Sequence, residues 1–89
     1  MNIYLVKRTN SGGYESFDSF VVIAETPLRA RFTHPENSWE GDHKVGKWSG
    51  KIQGTYDSWV DVDNVSVLFL GIAHDDETER IVCASFNAG

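Results

Sequence analysis

The sequence has little of what disulfide-rich, secreted and membrane proteins require. It contains one cysteine, Cys83, in 89 residues, so an internal disulfide is excluded. No apolar run approaches the roughly 18 residues that a transmembrane helix needs, and the first residues lack the apolar stretch of a secretory signal peptide. We therefore expect a protein of the cytoplasm that is neither secreted nor embedded in a membrane.

Positive charge is also scarce. The chain has 8 Lys and Arg against 13 Asp and Glu, for a formal net charge of −5. Proteins that bind the phosphate backbone of nucleic acids need clustered cations, so direct nucleic-acid binding is not expected. A negative chain attracts partners with basic surfaces, although a charge of this size is also ordinary for a soluble acidic domain.

Motifs of catalysis and metal binding are missing. The stretch GKWSGK (46–51) is not a phosphate-binding P-loop, because Val45 and Ile52 occupy the positions where that motif needs glycine and Ser or Thr. The three histidines lie in separate segments without the spacing of zinc ligands. The carboxylates of HDDETE (74–79) belong to a turn, where exposure keeps them unsuited to proton transfer. We expect no catalytic residue, no metal and no cofactor, so the chain is predicted not to be an enzyme.

Four stretches have the composition of β-strands. They are rich in β-branched and aromatic residues and occupy 2–9, 17–24, 65–73 and 80–86. The turn sequence NSGG (10–13) predicts a hairpin between the first two. The acidic turn 74–79 predicts a second hairpin between the last two.

The stretch TPLRARFTHP (26–35) has the signals of a short helix. Thr26 suits the N-cap, Pro27 the first helical position, and Leu28 with Phe32 an i,i+4 apolar pair. Residues 58–64 are predicted as a short strand or edge segment. The fold class is therefore α+β, with an antiparallel sheet of four to five strands, one short helix and a long Trp/Gly-rich connection, in a single domain spanning 1–89.

All three tryptophans, Trp39, Trp48 and Trp59, lie in a polar, glycine-rich stretch of the chain. Two predicted strands, 17–24 and 65–73, are apolar on both faces, whereas a sheet with one solvated face alternates apolar and polar residues. One short helix covers only part of one face. We expect the tryptophan segment or a second chain to cover the other face, which makes a homodimer a further expectation. Exposed indoles that bind a partner or ligand are the alternative.

The tentative binding residues are aromatic, cationic or close to the C-terminus. The guanidinium groups of Arg29 and Arg31 suit a phosphate or carboxylate, although solvated or ion-paired arginines are the simpler interpretation. The indoles of Trp39 and Trp48 would supply an aromatic wall. Asn87 would join such a site if the terminus docks, and a frayed terminus is the alternative.

Four stretches together resemble small accessory proteins encoded by tailed bacteriophages: NIYLVKRT (2–9), YESFDSFVVIAET (14–26), RARFTHP (29–35) and ASFNAG (84–89). The resemblance implies a protein of the host bacterial cytoplasm that binds a host protein and inhibits a host or defence function, an expectation by analogy. Two alternatives are a small-molecule binder that sequesters a nucleotide-like ligand, and a virion or assembly component.

Overall fold

The computed structural model describes residues 1–10, 15–36, 45–52 and 57–87. Its strands form one sheet in the order β3-β1-β2-β4, with all neighbours antiparallel. The α+β class is therefore confirmed, with four strands and one short α-helix in the described residues. In chain order the elements are β1 Asn2–Arg8, β2 Ser16–Ala24, α1 Pro27–Arg31, a 3₁₀ helix at Val62–Asn64, β3 Val65–Ile72 and β4 Arg80–Asn87.

The central strands β1 and β2 lie where the sequence predicts them. They pair as an antiparallel hairpin in which Leu5 opposes Val21 and Val6 opposes Phe20. Successive residues of a strand point to opposite faces, so these two pairs belong to different faces of the sheet. Val6 and Phe20 are fully buried, whereas Leu5 and Val21 are partly exposed.

The predicted hairpin between β3 and β4 is wrong. β3 pairs with β1 and β4 pairs with β2, so they form opposite edges of the sheet. Residues 73–79 instead cross the end of the sheet, where the Ala73 N–H donates to the Met1 carbonyl at 2.9 Å. Seven extended residues reach about 23 Å, and three strand spacings need only about 14 Å. A turn-like sequence of this length is therefore compatible with a connection between the two edge strands as well as with a hairpin.

The helix α1 is shorter than the predicted span but begins as expected. The Thr26 hydroxyl accepts a hydrogen bond from the Arg29 N–H at 3.2 Å, and Pro27 occupies the first turn. The helix places Ala30 in the core, while Leu28 stays 65% exposed. Among the described residues, no helix is long and apolar enough to span a membrane.

The core lies on one face of the sheet, which we call the covered face. Trp59 packs edge-on against Phe20, with 5.4 Å between ring centroids, and is itself buried. Ala30 of α1 belongs to the same cluster. The expectation of a structured tryptophan cover is confirmed for Trp59. One of the two expected covers for the face opposite the helix is wrong as far as Trp59 is concerned, because Trp59 and α1 lie over the same face. The cluster comprises Tyr4, Val6, Phe17, Phe20, Val22, Ala24, Ala30, Val45, Trp59, Val60, Val65 and Ile81.

Strand direction explains why the helix and Trp59 share a face. β2 and β3 are each antiparallel to β1, so they run parallel to each other with β1 between them. Parallel strands are joined by a crossover connection that passes over one face of the sheet. The connection 25–64 is that crossover, and it carries both α1 and Trp59. The other two connections join strands at the ends of the sheet and cover neither face in the described residues.

The segment 45–52 is held against α1 by its backbone. The Trp48 N–H donates to the Phe32 carbonyl at 3.0 Å, and the Gly50 carbonyl accepts from the Val62 N–H at 2.8 Å. Gly50 has φ +90°, and a Cβ there would lie 2.9 Å from Cε1 of Phe32. Only glycine meets both conditions without strain.

The region predicted as a short strand or edge segment, 58–64, differs from that expectation. It contains the 3₁₀ helix at Val62–Asn64, closed by a 2.9 Å hydrogen bond from the Asn64 N–H to the Asp61 carbonyl. The polar side chains of Asp61, Asp63 and Asn64 favour such local turns over strand pairing.

Candidate interaction surface

The uncovered face of the sheet is the candidate interaction surface. The strand register places one residue of each strand side by side across it, with Leu68, Leu5, Val21 and Cys83 as the central row. We call this the open face and define it by three rows of four residues: Ser66, Lys7, Ser19 and Ser85; Leu68, Leu5, Val21 and Cys83; Gly71, Ile3, Ile23 and Arg80.

The central row is accessible to solvent. Leu68 is 57% exposed and Cys83 is exposed, while Leu5 and Val21 between them are partly exposed. A Cβ built at Gly71 would meet no atom within 4 Å. In the described part of the chain, therefore, the apolar central row crosses all four strands and is accessible to solvent, whereas Ile23 in the neighbouring row is buried.

The open face contains no carboxylate, although the chain carries 13 of them and a net charge of −5. Its three rows contain two charged residues, Lys7 and Arg80, in the two outer rows. Arg80 donates to the Glu77 carboxylate at 2.9 Å. An exposed apolar centre without acidic residues is typical of a surface that another protein covers.

The edge strand β3 carries further exposed apolar side chains, of which Phe69 and Ile72 lie on the covered side of the sheet, opposite Tyr4 and Asn2. Phe69, Leu70 and Ile72 are 55%, 50% and 79% exposed. A register shift near Ile3 and Tyr4 interrupts the pairing, so Ile72 opposes Asn2 and the alternation predicted for this strand ends there. In the described residues β3 pairs only with β1 and contains no charge or proline. Such strands lack the usual protection against pairing with other chains.

The candidate residue Arg29 is engaged within the protein. Its guanidinium donates to the Glu79 carboxylate through Nε and Nη2, both at 2.6 Å, and Nη2 reaches the Val45 carbonyl at 3.1 Å. The hydrogen bond to Glu79 holds the pKa of Arg29 above its ordinary value. The same bond, opposed by partial burial, holds the pKa of the Glu79 carboxyl below its ordinary value. Arg29 thus connects α1 to the crossing segment before β4.

Arg31 also has a structural role. Its Nη1 donates to the carbonyl oxygens of Val62 and Val65, both at 3.2 Å. These bonds join α1 to the start of β3. The guanidinium thereby supplies hydrogen-bond donors to backbone carbonyls at the boundary between the 3₁₀ helix and the strand.

The remaining predicted binding residues do not lie in the three rows of the open face. Trp48 is partly exposed and packs edge-on against His34, with 5.4 Å between ring centroids. Asn87 is the last residue of β4 and opposes Ser16. Trp39 lies outside the described residues. The structure therefore does not bring the predicted binding residues together on the open face.

A polar cluster around His34 was missed by sequence reasoning. The His34 Nε2 lies 2.8 Å from Oδ1 of Asp57, which also accepts the Trp59 N–H at 3.1 Å. The Glu36 N–H donates to Nδ1 of His34 at 3.1 Å. A backbone N–H can only donate, so Nδ1 carries the lone pair and Nε2 the proton. His34 is therefore a neutral hydrogen-bond donor to Asp57.

The same cluster has the dimensions of a cation site but not the free donor atoms. Ligand atoms of His34, Glu36 and Asp57 lie within 4.8 Å of one another. A metal needs an unprotonated ring nitrogen, whereas Nδ1 is used by a backbone N–H and Nε2 is protonated. Glu36 also accepts the Ser58 hydroxyl at 2.9 Å. The cluster acts as a hydrogen-bonded clamp between 33–36 and 57–59. His34 and Asp57 are 23 positions apart, so no local pattern could reveal it.

The described residues offer two candidate sites: the polar cluster around His34 on the covered side, and the apolar row of the open face. The polar groups of the covered side bind one another, whereas the apolar row of the open face has no partner layer among the described residues. Comparison of the chain with protein-family models, with curated proteins and with solved structures found no match.

Proposed function

We propose that this chain is a non-enzymatic binding protein that uses its open face to cover an apolar surface of another protein molecule. The observation that carries the proposal is the central row of Leu68, Leu5, Val21 and Cys83, which crosses all four strands and is accessible to solvent. Burying apolar surface contributes about 25 cal/mol per Å². A face of this kind therefore gains most when another molecule covers it.

The charges define the partner's chemistry. The open face has an apolar centre, and the acidic residues Asp75 and Asp76 stand exposed in the crossing segment at one end of the sheet. A matching surface is apolar in the middle and neutral or basic at its margin. Charge complementarity at a margin accelerates encounter and disfavours wrong partners.

The contacts of the arginines favour protein binding over the nucleotide-like ligand that the sequence left as an alternative. Arg29 and Arg31 donate to acceptors of the protein itself. An incoming phosphate would have to replace Glu79, which already binds the Arg29 guanidinium with two bonds. Binding of a nucleotide would therefore cost an existing ion pair.

The resemblance to phage accessory proteins extends the proposal to its setting. A bacterial host protein would be the target, and covering the target's surface would inhibit it. The stoichiometry of such inhibition is one inhibitor per target site, because no turnover is involved. The alternative, a virion or assembly component, would use the same surface but would require many copies of this chain in one particle.

The experiment compares two equally exposed leucines on opposite sides of the sheet. Leu68 on the open face is 57% exposed and Leu28 on α1 is 65% exposed. The native chain, Leu68→Asp and Leu28→Asp are immobilised and incubated with bacterial lysate, after circular dichroism has shown that all three are folded. We expect the proteins retained by the native chain to be retained by Leu28→Asp and lost with Leu68→Asp.

Two results would contradict the proposal. If Leu68→Asp retains the same proteins as the native chain, the open face is not the binding surface. If ATP or GTP instead raises the unfolding temperature of the native chain, a nucleotide-binding function is favoured, since ligand at 100 times its Kd adds about 2.7 kcal/mol of stability.

A further inference from the structure

We infer that β3 pairs edge to edge with β3 of a second copy of this chain, antiparallel and about a two-fold axis at Leu68, to form one sheet of eight strands. This pairing goes beyond the proposed function, because it uses the backbone at the edge of the sheet and not the open face.

Two hydrogen bonds at the ends of β3 define which of its backbone groups face outward. The Thr9 N–H donates to the Asn64 carbonyl at 2.8 Å, and the Ala73 N–H donates to the Met1 carbonyl at 2.9 Å. In an antiparallel ladder, residue pairs that exchange hydrogen bonds alternate with pairs whose N–H and C=O groups point away from each other. The direction of every group of β3 therefore follows by counting from these two bonds along the register with β1.

The outward groups of β3 belong to alternate residues. By this count the residues that direct their backbone groups away from β1 are Val65, Val67, Phe69 and Ile72. The Val65 carbonyl confirms the direction, because it accepts a hydrogen bond from Arg31 of α1 at 3.2 Å. Among the described residues, the outward groups of Val67, Phe69 and Ile72 have no hydrogen-bond partner. Only another extended backbone satisfies such a row of groups.

One two-fold register uses the outward groups of Val67 and Phe69 completely. With the axis at Leu68, Val67 of one copy opposes Phe69 of the other, and each of these two pairs exchanges two hydrogen bonds. Four bonds then join the copies, and Leu68 lies opposite its own counterpart.

The neighbouring registers satisfy fewer groups. An axis at Val67 would need the Val65 carbonyl, which already accepts Arg31. An axis at Phe69 would need Gly71, whose groups face β1 beyond the register shift. The regular free edge is therefore short and has its centre at Leu68.

The side chains at this edge are apolar on both sides of the sheet. Leu68 is 57% exposed on the open face, whereas Phe69 and Ile72 are 55% and 79% exposed on the covered side. A molecule that lies on one face can cover only one of these two groups. A strand added at the edge reaches both, because its successive side chains point to opposite faces.

The charges at the ends of β3 favour the antiparallel direction. The first end lies beside Asp61 and Asp63, whose charges are offset by two lysines. These are Lys51, with its ammonium 3.5 Å from the Asp63 carboxylate, and Lys7 on the neighbouring strand β1. The other end continues into the acidic segment 73–79. An antiparallel partner brings each acidic segment towards the end with the lysines, whereas a parallel partner would bring the two acidic segments together.

The joined sheet has a consequence for the open face. Because Leu68 of each copy lies on the same side of the joined sheet, the two open faces become one continuous surface of twice the width. A partner that covers the open face would then meet eight strands.

The experiment uses the position of the two-fold axis. Leu68→Cys and Ser66→Cys are made in a Cys83→Ser chain and oxidised with a glutathione buffer. Leu68 and Ser66 are both exposed on the same face of the same strand. Opposed Leu68→Cys residues would have Cα atoms about 4.5 Å apart, within the range of a disulfide. The two Ser66→Cys residues would be separated by four residue steps, at least about 13 Å.

We expect about tenfold more disulfide-linked dimer from Leu68→Cys than from Ser66→Cys at equal chain concentration, since the bound pair raises the local thiol concentration. Non-reducing gel electrophoresis and intact mass measure the yield. Equal yields at the two positions would overturn the pairing.

Two changes at Phe69 test the edge itself. Phe69→Pro removes an outward N–H and no bond to β1, and Phe69→Lys adds the charge that protects natural edges. Two variants are used so that one remains informative if the proline perturbs folding, which circular dichroism detects. In the Leu68→Cys chain, each should lower the yield to that of Ser66→Cys. An unchanged yield in both folded variants would overturn the pairing.

Sedimentation equilibrium tests the chain with its native cysteine. Its mass should double with rising concentration, and Phe69→Pro and Phe69→Lys should stay monomeric. A native chain that is monomeric at every concentration, or a dimer that both Phe69 variants retain, would contradict the β3 pair. These measurements use the purified chain alone, so their outcome does not depend on the proteins retained from lysate.

Discussion

The two faces of this sheet are built from similar residues and have opposite surroundings. On the covered face, Val6 and Phe20 are buried beneath α1 and Trp59. On the open face, Leu5 and Val21 occupy the same strands one residue away and stay partly exposed. The apolar content of a strand therefore does not decide which face becomes the core. The crossover connection decides it, because its described parts, 25–36, 45–52 and 57–64, contribute core residues to one side of the sheet only.

The largest loss of stability is expected when the Trp59 side chain, which covers the core, is removed. Trp59→Ala should lower the free energy of unfolding by about 3–5 kcal/mol, the range for removing a buried aromatic side chain. Urea titration followed by circular dichroism measures it. Trp59→Phe should cost far less, because the buried indole N–H has no hydrogen-bond acceptor in the described residues. Removing an unpaired buried donor regains part of about 1–3 kcal/mol.

A loss below about 1 kcal/mol for Trp59→Ala would contradict the assignment of Trp59 as the cover of the core. Equal losses for the alanine and phenylalanine variants would show instead that the indole N–H has an acceptor.

Gly50 on the covered side and Gly71 on the open face allow the same substitution to be compared in the two environments. Gly50→Ala should destabilise the fold by about 1–3 kcal/mol, because φ is +90° and the new Cβ would approach Phe32 and Val62 to within about 3 Å. Gly71→Ala meets no atom within 4 Å. That change should be neutral or stabilise the monomer by up to about 1 kcal/mol, since glycine weakens strands. Urea midpoints of both variants measure the contrast, and a loss of stability for Gly71→Ala would mean that the open face is covered within one chain.

A smaller loss of stability is expected when the contact between Glu79, in the crossing segment, and Arg29 of α1 is removed. Glu79 accepts hydrogen bonds from the Arg29 guanidinium and, at 3.1 Å, from the Glu25 N–H. Replacing Glu79 with Gln should cost about 1 kcal/mol, since the contact is partly exposed and its charge is screened. Titration with urea, which is uncharged and does not screen the ion pair, measures the change at low ionic strength. An unchanged midpoint would show that the contact has no role in stability.

The pH dependence of that contact has a definite sign. The hydrogen bond from Arg29 holds the pKa of the Glu79 carboxyl below its ordinary value of 4.5 in the folded chain. Its stabilisation is therefore complete above 4.5 and is lost as the pH falls through the lower folded pKa. The difference in unfolding free energy between the native chain and Glu79→Gln should shrink as the pH falls below 4.5. A difference that grows on acidification would contradict it.

The smallest effect is expected on the open face. Leu68→Ser should change the free energy of unfolding, measured by urea titration, by no more than about 0.5 kcal/mol, as for other exposed positions. A large effect would show that Leu68 packs within its own chain, and the distinction between the two faces would fail.

Local signals were sufficient for the elements of the fold. The strands β1 and β2 are marked by β-branched and aromatic residues at successive positions, and the Thr26–Pro27 pair begins α1 where a capping residue followed by proline predicts it. These signals depend on neighbours within a few positions, so they can be read without a structure.

The pairing of distant residues could not be read in the same way. The acidic turn 74–79 predicts a hairpin from local composition, yet β3 and β4 pair with β1 and β2. The bond between Arg29 and Glu79 joins residues 50 positions apart, and the clamp of His34 and Asp57 joins residues 23 positions apart. Each depends on which distant segments the fold brings together, and local composition carries no signal of that.

The sequence by itself determined that both sides of the sheet would be apolar, because strands such as β2 carry apolar residues at successive positions. Only the tertiary structure decided which side is covered. The physical reason is the direction of the strands: β2 and β3 run parallel, so the long connection between them must cross one face, and the tryptophan that it carries can bury only that face. In the described residues the apolar row of the other face stays accessible to solvent.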